Sequence, residues 1–176
     1  VNGLNFEMPQ GDSRIIDILE KMGCRIKVDE EKGEVAIRGA DKLEGGDFNL
    51  SDTPDLMPVV SILALKATSP VTITGVAHAR VKETDRLSTI RAELLKFGAE
   101  IKEYSDGLKI TAPLIIKNAS LEAHNDHRLF MAFTIAAMMT EKSIVAGAQS
   151  VDVSYPNFIS EMKNIGGRIS PAPDRE

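Results

Sequence analysis

Eight consecutive residues, Arg80-Val81-Lys82-Glu83-Thr84-Asp85-Arg86-Leu87, bring three cations and two carboxylates together. They stand between a strand-like run, Val71 to Val76, and a helix-like run, Asp85 to Phe97. Thr84 is placed to cap that helix. A helix start offers free backbone N–H groups and a partial positive charge, and Lys82 and Arg86 add full charges at the same spot. The chemistry that suits this grouping is anion binding, with Glu83 as a possible proton carrier. A solvated, well-capped helix start accounts for the same residues without any ligand, because capping patterns are common.

Two further groups change that balance. Asn125-Asp126-His127-Arg128 opens a mostly apolar helix running from Leu129 to Met139, and Pro54-Asp55 opens another from Leu56 to Leu65. Only Pro58 and Ser61 interrupt the second of these, and Pro58 is tolerable in a first turn. A helix so apolar is buried nearly all round.

The elements that must position these groups repeat. Lys21-Met22-Gly23-Cys24-Arg25-Ile26 matches Lys96-Phe97-Gly98-Ala99-Glu100-Ile101, 75 residues on, and Asn164-Ile165-Gly166-Gly167-Arg168-Ile169 matches both. Gly75 and Gly147 end strands 72 residues apart, and the same offset places Asp55 opposite His127. An amphipathic helix carries Ile15, Ile18, Leu19 and Met22 and stops at Gly23; its counterpart carries Leu87, Ile90, Leu94 and Phe97 and stops at Gly98. Each is followed by a hairpin, turning at Glu31-Lys32-Gly33 and at Ser105-Asp106-Gly107. Asp41 to Asn49 reads as an irregular or short extended connection, a connection rich in small apolar residues precedes Asn125, Asn157 to Ile165 starts the cycle again, and a polar tail begins at Pro171. One copy is amphipathic helix, hairpin, buried helix, strand. Stacked copies would bury the apolar helices between sheets and align their N-termini, so Asp55, Glu83, His127 and Arg128 are expected on one face.

Composition limits the alternatives. The chain has 176 residues, 43% of them hydrophobic, enough for a packed core. Net charge is −5 and no long basic run occurs, which argues against nucleic acid as a main partner. Cys24 is the only cysteine, so disulfides and thiolate metal sites are excluded and a reducing, cytoplasmic compartment is the default. The run from Leu129 to Met139 is too short to span a bilayer.

These motifs carry a family resemblance. Arg80 to Arg86 resembles the RxKE[ST]DR signature of the 3-phosphoshikimate 1-carboxyvinyltransferases (EPSP synthases). Asn125-Asp126-His127-Arg128, followed by Met131-Ala132, resembles their NDHRxxMA signature. Pro54-Asp55 is similar to the segment bearing their catalytic aspartate, and Gln10-Gly11-Asp12 with Leu19 to Gly23 resembles their GDxxFxxxLxxMG segment. The motifs stand in family order over essentially the whole chain.

The resemblance implies an α/β fold, an enolpyruvyl transferase-type lobe of repeated βαβαββ units with buried helices packed against outer mixed sheets. It implies that residues 1–176 are most of the C-terminal lobe of a two-lobe enzyme whose N-terminal lobe is absent here. The implied reaction transfers enolpyruvyl from phosphoenolpyruvate to the 5-hydroxyl of shikimate 3-phosphate by addition and elimination, in the shikimate pathway to chorismate and the aromatic amino acids. No metal or organic cofactor is implied. Asp55 would be the base at the attacking hydroxyl, and Glu83 would move a proton to and from the methylene carbon. Lys82 would lie by the hydroxyl, Arg86 and Arg128 would bind phosphoenolpyruvate, His127 would support that site, and His78 would touch the sugar acid. Val153 departs from the pattern, standing where many members carry a lysine. Two other readings remain: a non-catalytic module that keeps the fold and an anion site, and an enolpyruvyl transferase with another acceptor.

Overall fold

The computed structural model describes residues 1–8 and 10–172. Its central part is one complete βαβαββ unit. Strand β3 (Gly46–Asn49), helix α2 (Met57–Ala64), strand β4 (Val71–Thr74), helix α3 (Arg86–Leu95) and the hairpin β5 (Glu100–Tyr104) and β6 (Gly107–Thr111) follow in order. They form one four-stranded sheet, β3-β4-β6-β5, parallel between β3 and β4 and antiparallel elsewhere. Alternation decides its faces. Val71, Ile73, Leu108 and Ile110 are fully buried, while Thr72, Thr74, Lys109 and Thr111 stand on the other side.

Helices α2 and α3 cover the apolar face. Leu87, Ile90 and Leu94 supply the α3 stripe and Phe97, just past its end, continues it, all at zero exposure. Burying side chains of this size stabilises by about 1.5–3 kcal/mol each. Along α2, Met57, Pro58, Val60, Ser61, Ile62 and Ala64 are buried and only Val59 is well exposed.

Parts of two neighbouring units flank this one. Before it come α1 (Ile15–Lys21) and the hairpin β1 (Arg25–Asp29) and β2 (Glu34–Arg38). Residues 1–4 lie along β2, with mutual hydrogen bonds between Val1 and Val35 and one from the Leu4 amide to the Gly33 carbonyl. They sit on β2 as β4 sits on β6. After the central unit come β7 (Ser120–Glu122), α4 (His127–Ala137), β8 (Ile144–Ala146) and α5 (Phe158–Asn164), with β7 and β8 parallel. Helix α4 packs on α2, and Phe133 and Ala136 join the main core. Phe130 turns the other way, meeting Phe158 of α5 edge to face at 6.4 Å.

The repeat is written in the backbone. Gly3, Gly75 and Gly147, each 72 residues from the next, all have positive φ, 75°, 76° and 97°. That conformation is open to glycine at no steric cost, so Gly75 and Gly147 turn the chain out of β4 and β8, and Gly3 takes the same conformation beside β2. A different constraint acts at Gly107, where an added Cβ would run into the Ile73 carbonyl of the neighbouring strand. Gly33 meets the Leu4 carbonyl in the same way. Gly107→Ala is therefore expected to destabilise by about 1–3 kcal/mol through forced separation of β4 and β6, measured by urea unfolding against wild type.

Three expectations are revised. The stretch from Asp41 to Asn49 is extended, as one of its two readings allowed, and holds β3, whereas the connection before Asn125 contains the unexpected strand β7. The unit begins at β3, so the amphipathic helix and hairpin close one unit and do not open it. Thr84 does not cap α3: its hydroxyl bonds Thr89, and Asp85 takes the cap, accepting from the Ser88 amide. The polar tail from Pro171 passes out of the described residues after Ala172.

Candidate active site

Arg86 is a charged residue buried inside the fold, with its side chain 1% exposed. It opens α3, whose apolar stripe pins the helix to the sheet and so fixes where its first turn points. Its Nε donates to Asp126 Oδ2 at 2.7 Å, Nη1 to Asp55 Oδ1 at 2.8 Å, and Nη2 to Glu83 Oε2 at 2.7 Å. A weaker Nη2 bond reaches Asp126 Oδ1 at 3.3 Å. The planar fork of a guanidinium suits three acceptors in three directions. Burial works to lower the Arg86 pKa, but hydrogen bonding and charge from Asp126, then Glu83 and Asp55, overcome it and raise the value.

Asp126 is the other buried charge of this group, at zero exposure. It caps α4, accepting from the backbone N–H groups of Arg128 and Leu129. Two left-handed residues, His124 (φ 51°) and Asn125 (φ 60°), turn the chain into this cap. One carboxylate thus fixes the start of α4 and binds the start of α3. Sequence reasoning quoted Asp126 inside its motif but gave it no role. The usable signal was an aspartate at an N-cap position directly before a positively charged helix start.

Asp55 lies in a short 3-10 turn, Pro54–Leu56, that runs straight into α2. Its Oδ1 faces Arg86 and, at 3.9 Å, Lys82 Nζ. Its Oδ2 is bridged by Arg128 Nη2 at 2.9 Å. His127 Nδ1 stands 4.0 Å from Glu83 Oε1. The starts of α2, α3 and α4 therefore meet, and Asp55, Lys82, Glu83, His127 and Arg128 form one cluster on buried Arg86 and Asp126. The five are partly open, with side-chain exposures from 22% to 42%. His78 lies exposed in the 3-10 turn Ala77–Val81 that leads to Lys82; among the described residues it makes no hydrogen bond or ion pair to this cluster.

Charge balance matters for what the cluster can do. Lys82, Arg86 and Arg128 face Asp55, Glu83 and Asp126, three cations against three carboxylates. An anion entering here has to displace a carboxylate from a cation or bring further cations with its site. Arg128 and Lys82, about a third exposed, are the ones placed to exchange.

Comparison with known proteins gives this geometry a context. The sequence model described as EPSP synthase (3-phosphoshikimate 1-carboxyvinyltransferase) matches residues 1–162. A 3-phosphoshikimate 1-carboxyvinyltransferase of Nitrosopumilus maritimus is 46% identical over 97% of this chain and 40% of its own length. One from Methanococcus aeolicus is 43% identical over 97% of this chain and 39% of its own length. Among solved structures, an EPSP synthase from Acinetobacter baumannii superposes with a TM-score of 0.79 at 26% identity, covering 95% of this chain and 41% of that one. The enolpyruvyl transferase NikO from Streptomyces tendae shares the fold, with a TM-score of 0.70 at 19% identity over 89% of this chain and 35% of its own. The chain spans about two fifths of the length of the curated relatives it matches. Its repeated units, the two signatures at the starts of α3 and α4, and the match over nearly all its length make it a member of the EPSP synthase family.

Proposed function

We propose that this chain is most of the C-terminal lobe of a 3-phosphoshikimate 1-carboxyvinyltransferase and supplies half of its active site. In this reading the 5-hydroxyl of shikimate 3-phosphate adds to C2 of phosphoenolpyruvate while C3 gains a proton. Phosphate then leaves as C3 loses a proton, giving 5-enolpyruvylshikimate 3-phosphate. The observation that carries it is the Asp55 carboxylate held between Arg86 and Arg128, with Glu83 on the same guanidinium.

Asp55 takes the proton of the attacking hydroxyl, and Lys82, 3.9 Å from it, stabilises the oxygen as charge develops. Glu83, the most open carboxylate of the cluster, serves the methylene carbon. Arg128, about a third exposed, holds the phosphate and carboxylate of phosphoenolpyruvate by exchanging Asp55 for them, Arg86 adds its charge from beneath while staying bound to Asp55, Glu83 and Asp126, and His127 orients Glu83. His78, on the turn before Lys82, contacts the sugar acid. All of these groups are amino-acid side chains, and the addition and elimination need no metal or organic cofactor. Phosphorylated substrates and a single free cysteine, Cys24, fit a cytoplasmic protein; no described helix is long and apolar enough to cross a membrane.

Internal neutrality makes this lobe incomplete as a catalyst. Three cations already matched by three carboxylates cannot neutralise two anionic substrates as well. Open solvent also screens each exposed contact to roughly 1 kcal/mol or less. The remaining cations and the exclusion of water come from the other lobe. The test is phosphate release from phosphoenolpyruvate and shikimate 3-phosphate, by this chain alone and with the rest of the protein added. No turnover alone and turnover on combination is the expected result. Steady turnover by the chain alone would overturn the half-site reading, and release only with a different acceptor would move the protein to another enolpyruvyl transfer.

A further inference from the structure

Arg80 begins the signature but has no part in the cluster around Arg86. Its guanidinium is nonetheless engaged on every side. Nε donates to the Ser105 carbonyl at 3.1 Å and Nη2 to the Tyr104 carbonyl at 2.8 Å. Nη1 donates to Asp85 Oδ2 at 2.9 Å and to the Ser88 hydroxyl at 3.3 Å, and Nη2 pairs with Glu103 at 2.8 Å. The Ser88 hydroxyl in turn donates to Asp85 and to Glu103. Just upstream, the Gly75 and Val76 amides donate to Asp106, in the same hairpin turn. The turn between β5 and β6 is thus a template onto which both ends of the segment from Gly75 to Ser88 are fastened.

We propose that Arg80 is a positioning residue: it clips the two ends of the loop Val81–Thr84 to each other and to the β5–β6 turn, and so fixes Lys82 and Glu83 against Asp55 and Arg86. The Arg80–Asp85 pair closes the loop at its base, leaving four residues whose only chemistry-bearing side chains are Lys82 and Glu83. A short loop held at both ends has few conformations left to lose when a ligand is bound. Asp85 is drawn in as well. Burial works to raise its pKa, but the Ser88 amide, Arg80 and the Ser88 hydroxyl together lower it, so it stays a carboxylate facing Arg80.

The repeat supplies an internal control. Seventy-two residues on, Asp152 stands in place of Arg80 and Asn157 in place of Asp85. That segment still forms the same 3-10 turn, Ala148–Val153, before α5, although Asn157 makes no side-chain cap bond. Its loop carries Val153, Ser154, Tyr155 and Pro156, none of them acidic or basic. Among the described residues this turn forms without such a clip, and the clip occurs where the loop carries Lys82 and Glu83.

The inference rests on the enolpyruvyl transfer reading for its kinetic test and on local dynamics for an independent one. In the complete two-lobe protein, Arg80→Met should lower kcat about 10- to 100-fold, as a misplaced catalytic group does, with the substrate KM values within about threefold. Arg80→Lys should restore little, because one ammonium cannot span two carbonyls and two carboxylates. Amide hydrogen exchange should quicken in residues 81–86 while α2 and α4 keep their protection. Unchanged exchange in residues 81–86 would overturn the proposal. So would a fall in Tm with kcat per folded molecule unchanged, since that is a purely structural role. If the wild-type protein released no phosphate with any acceptor, the functional reading would fail, and the exchange comparison would still decide the clip.

Discussion

Arg86→Met is expected to destabilise this chain by about 3–5 kcal/mol, the range for removing one partner of a buried charge pair. The side chain is 1% exposed and serves three carboxylates from three helix starts. Removing it strands Asp126, which has no exposure of its own and would keep only two backbone N–H partners. Methionine fills most of the volume, so the loss reports charge and hydrogen bonding more than a cavity. Asp55 and Glu83 are 30% and 42% exposed and can turn to water, so Asp126 dominates the cost. A second variant isolates that term. Asp126→Asn keeps an oxygen for the α4 cap but no charge, so the double variant Arg86→Met/Asp126→Asn should recover part of the loss, with a coupling of about 1–3 kcal/mol. Urea unfolding of the four proteins measures the cycle. A loss below about 1 kcal/mol for Arg86→Met would mean that Asp126 finds another partner, and that this ion cluster does not hold the helix starts together.

The order of elements was legible because each has a strong local cause. Gly23, Gly75, Gly98 and Gly147 mark helix and strand ends by a conformation open to glycine at no steric cost, and their spacing exposes the repeat. What escaped or stayed open were features decided by tertiary partners. Strand β3 reads Gly-Asp-Phe-Asn and β7 reads Ser-Leu-Glu; each has one buried apolar residue, Phe48 or Leu121, and too few positions to show alternation. They are strands because β4 and β8 lie beside them. The cap of α3 fell one residue from its expected place. Thr84 and Asp85 are both good caps, and the choice is made by Arg80, which pairs with Asp85 and is itself held by Tyr104 and Glu103 of β5.

The candidate site was legible as a set of residues but not as a structure. Spacing alone put Asp55, Glu83 and Arg128 at helix starts on one face. It could not show that Arg86 is turned inward, since a helix start can aim its second charged residue at solvent or at the core. Burial of Leu87 and Ile90 settles this by setting the rotation of α3. Nor could it show that the cations are already matched by carboxylates, so that an entering anion would have to exchange partners with them.

Glu83→Gln, in the full-length enzyme of the proposed function, is expected to lower kcat by about 10²–10⁴-fold, the usual worth of a positioned acid or base. Glu83 accepts from Arg86 Nη2 at 2.7 Å, and a glutamine oxygen can accept the same bond, so the loop and its neighbours should stay in place. Half-exposed, with one oxygen on buried Arg86 and the other 4.0 Å from His127, the side chain contributes little to stability, and Tm should change little. What is removed is the ability to give and take a proton. Substrate KM values should therefore move only a few-fold, the signature of an interaction made in the transition state. Arg128→Ala is the contrasting variant: it removes a partly open cation and should chiefly raise the KM for phosphoenolpyruvate. A second readout is independent of overall turnover. If Glu83 serves the methylene carbon, incorporation of solvent deuterium into phosphoenolpyruvate during reversible addition should fall with kcat in Glu83→Gln but persist in Arg128→Ala at saturating substrate. Near-normal turnover by Glu83→Gln, or unchanged deuterium incorporation, would remove Glu83 from the proton transfer and leave Asp55, the only other partly open carboxylate of the cluster, to carry both steps.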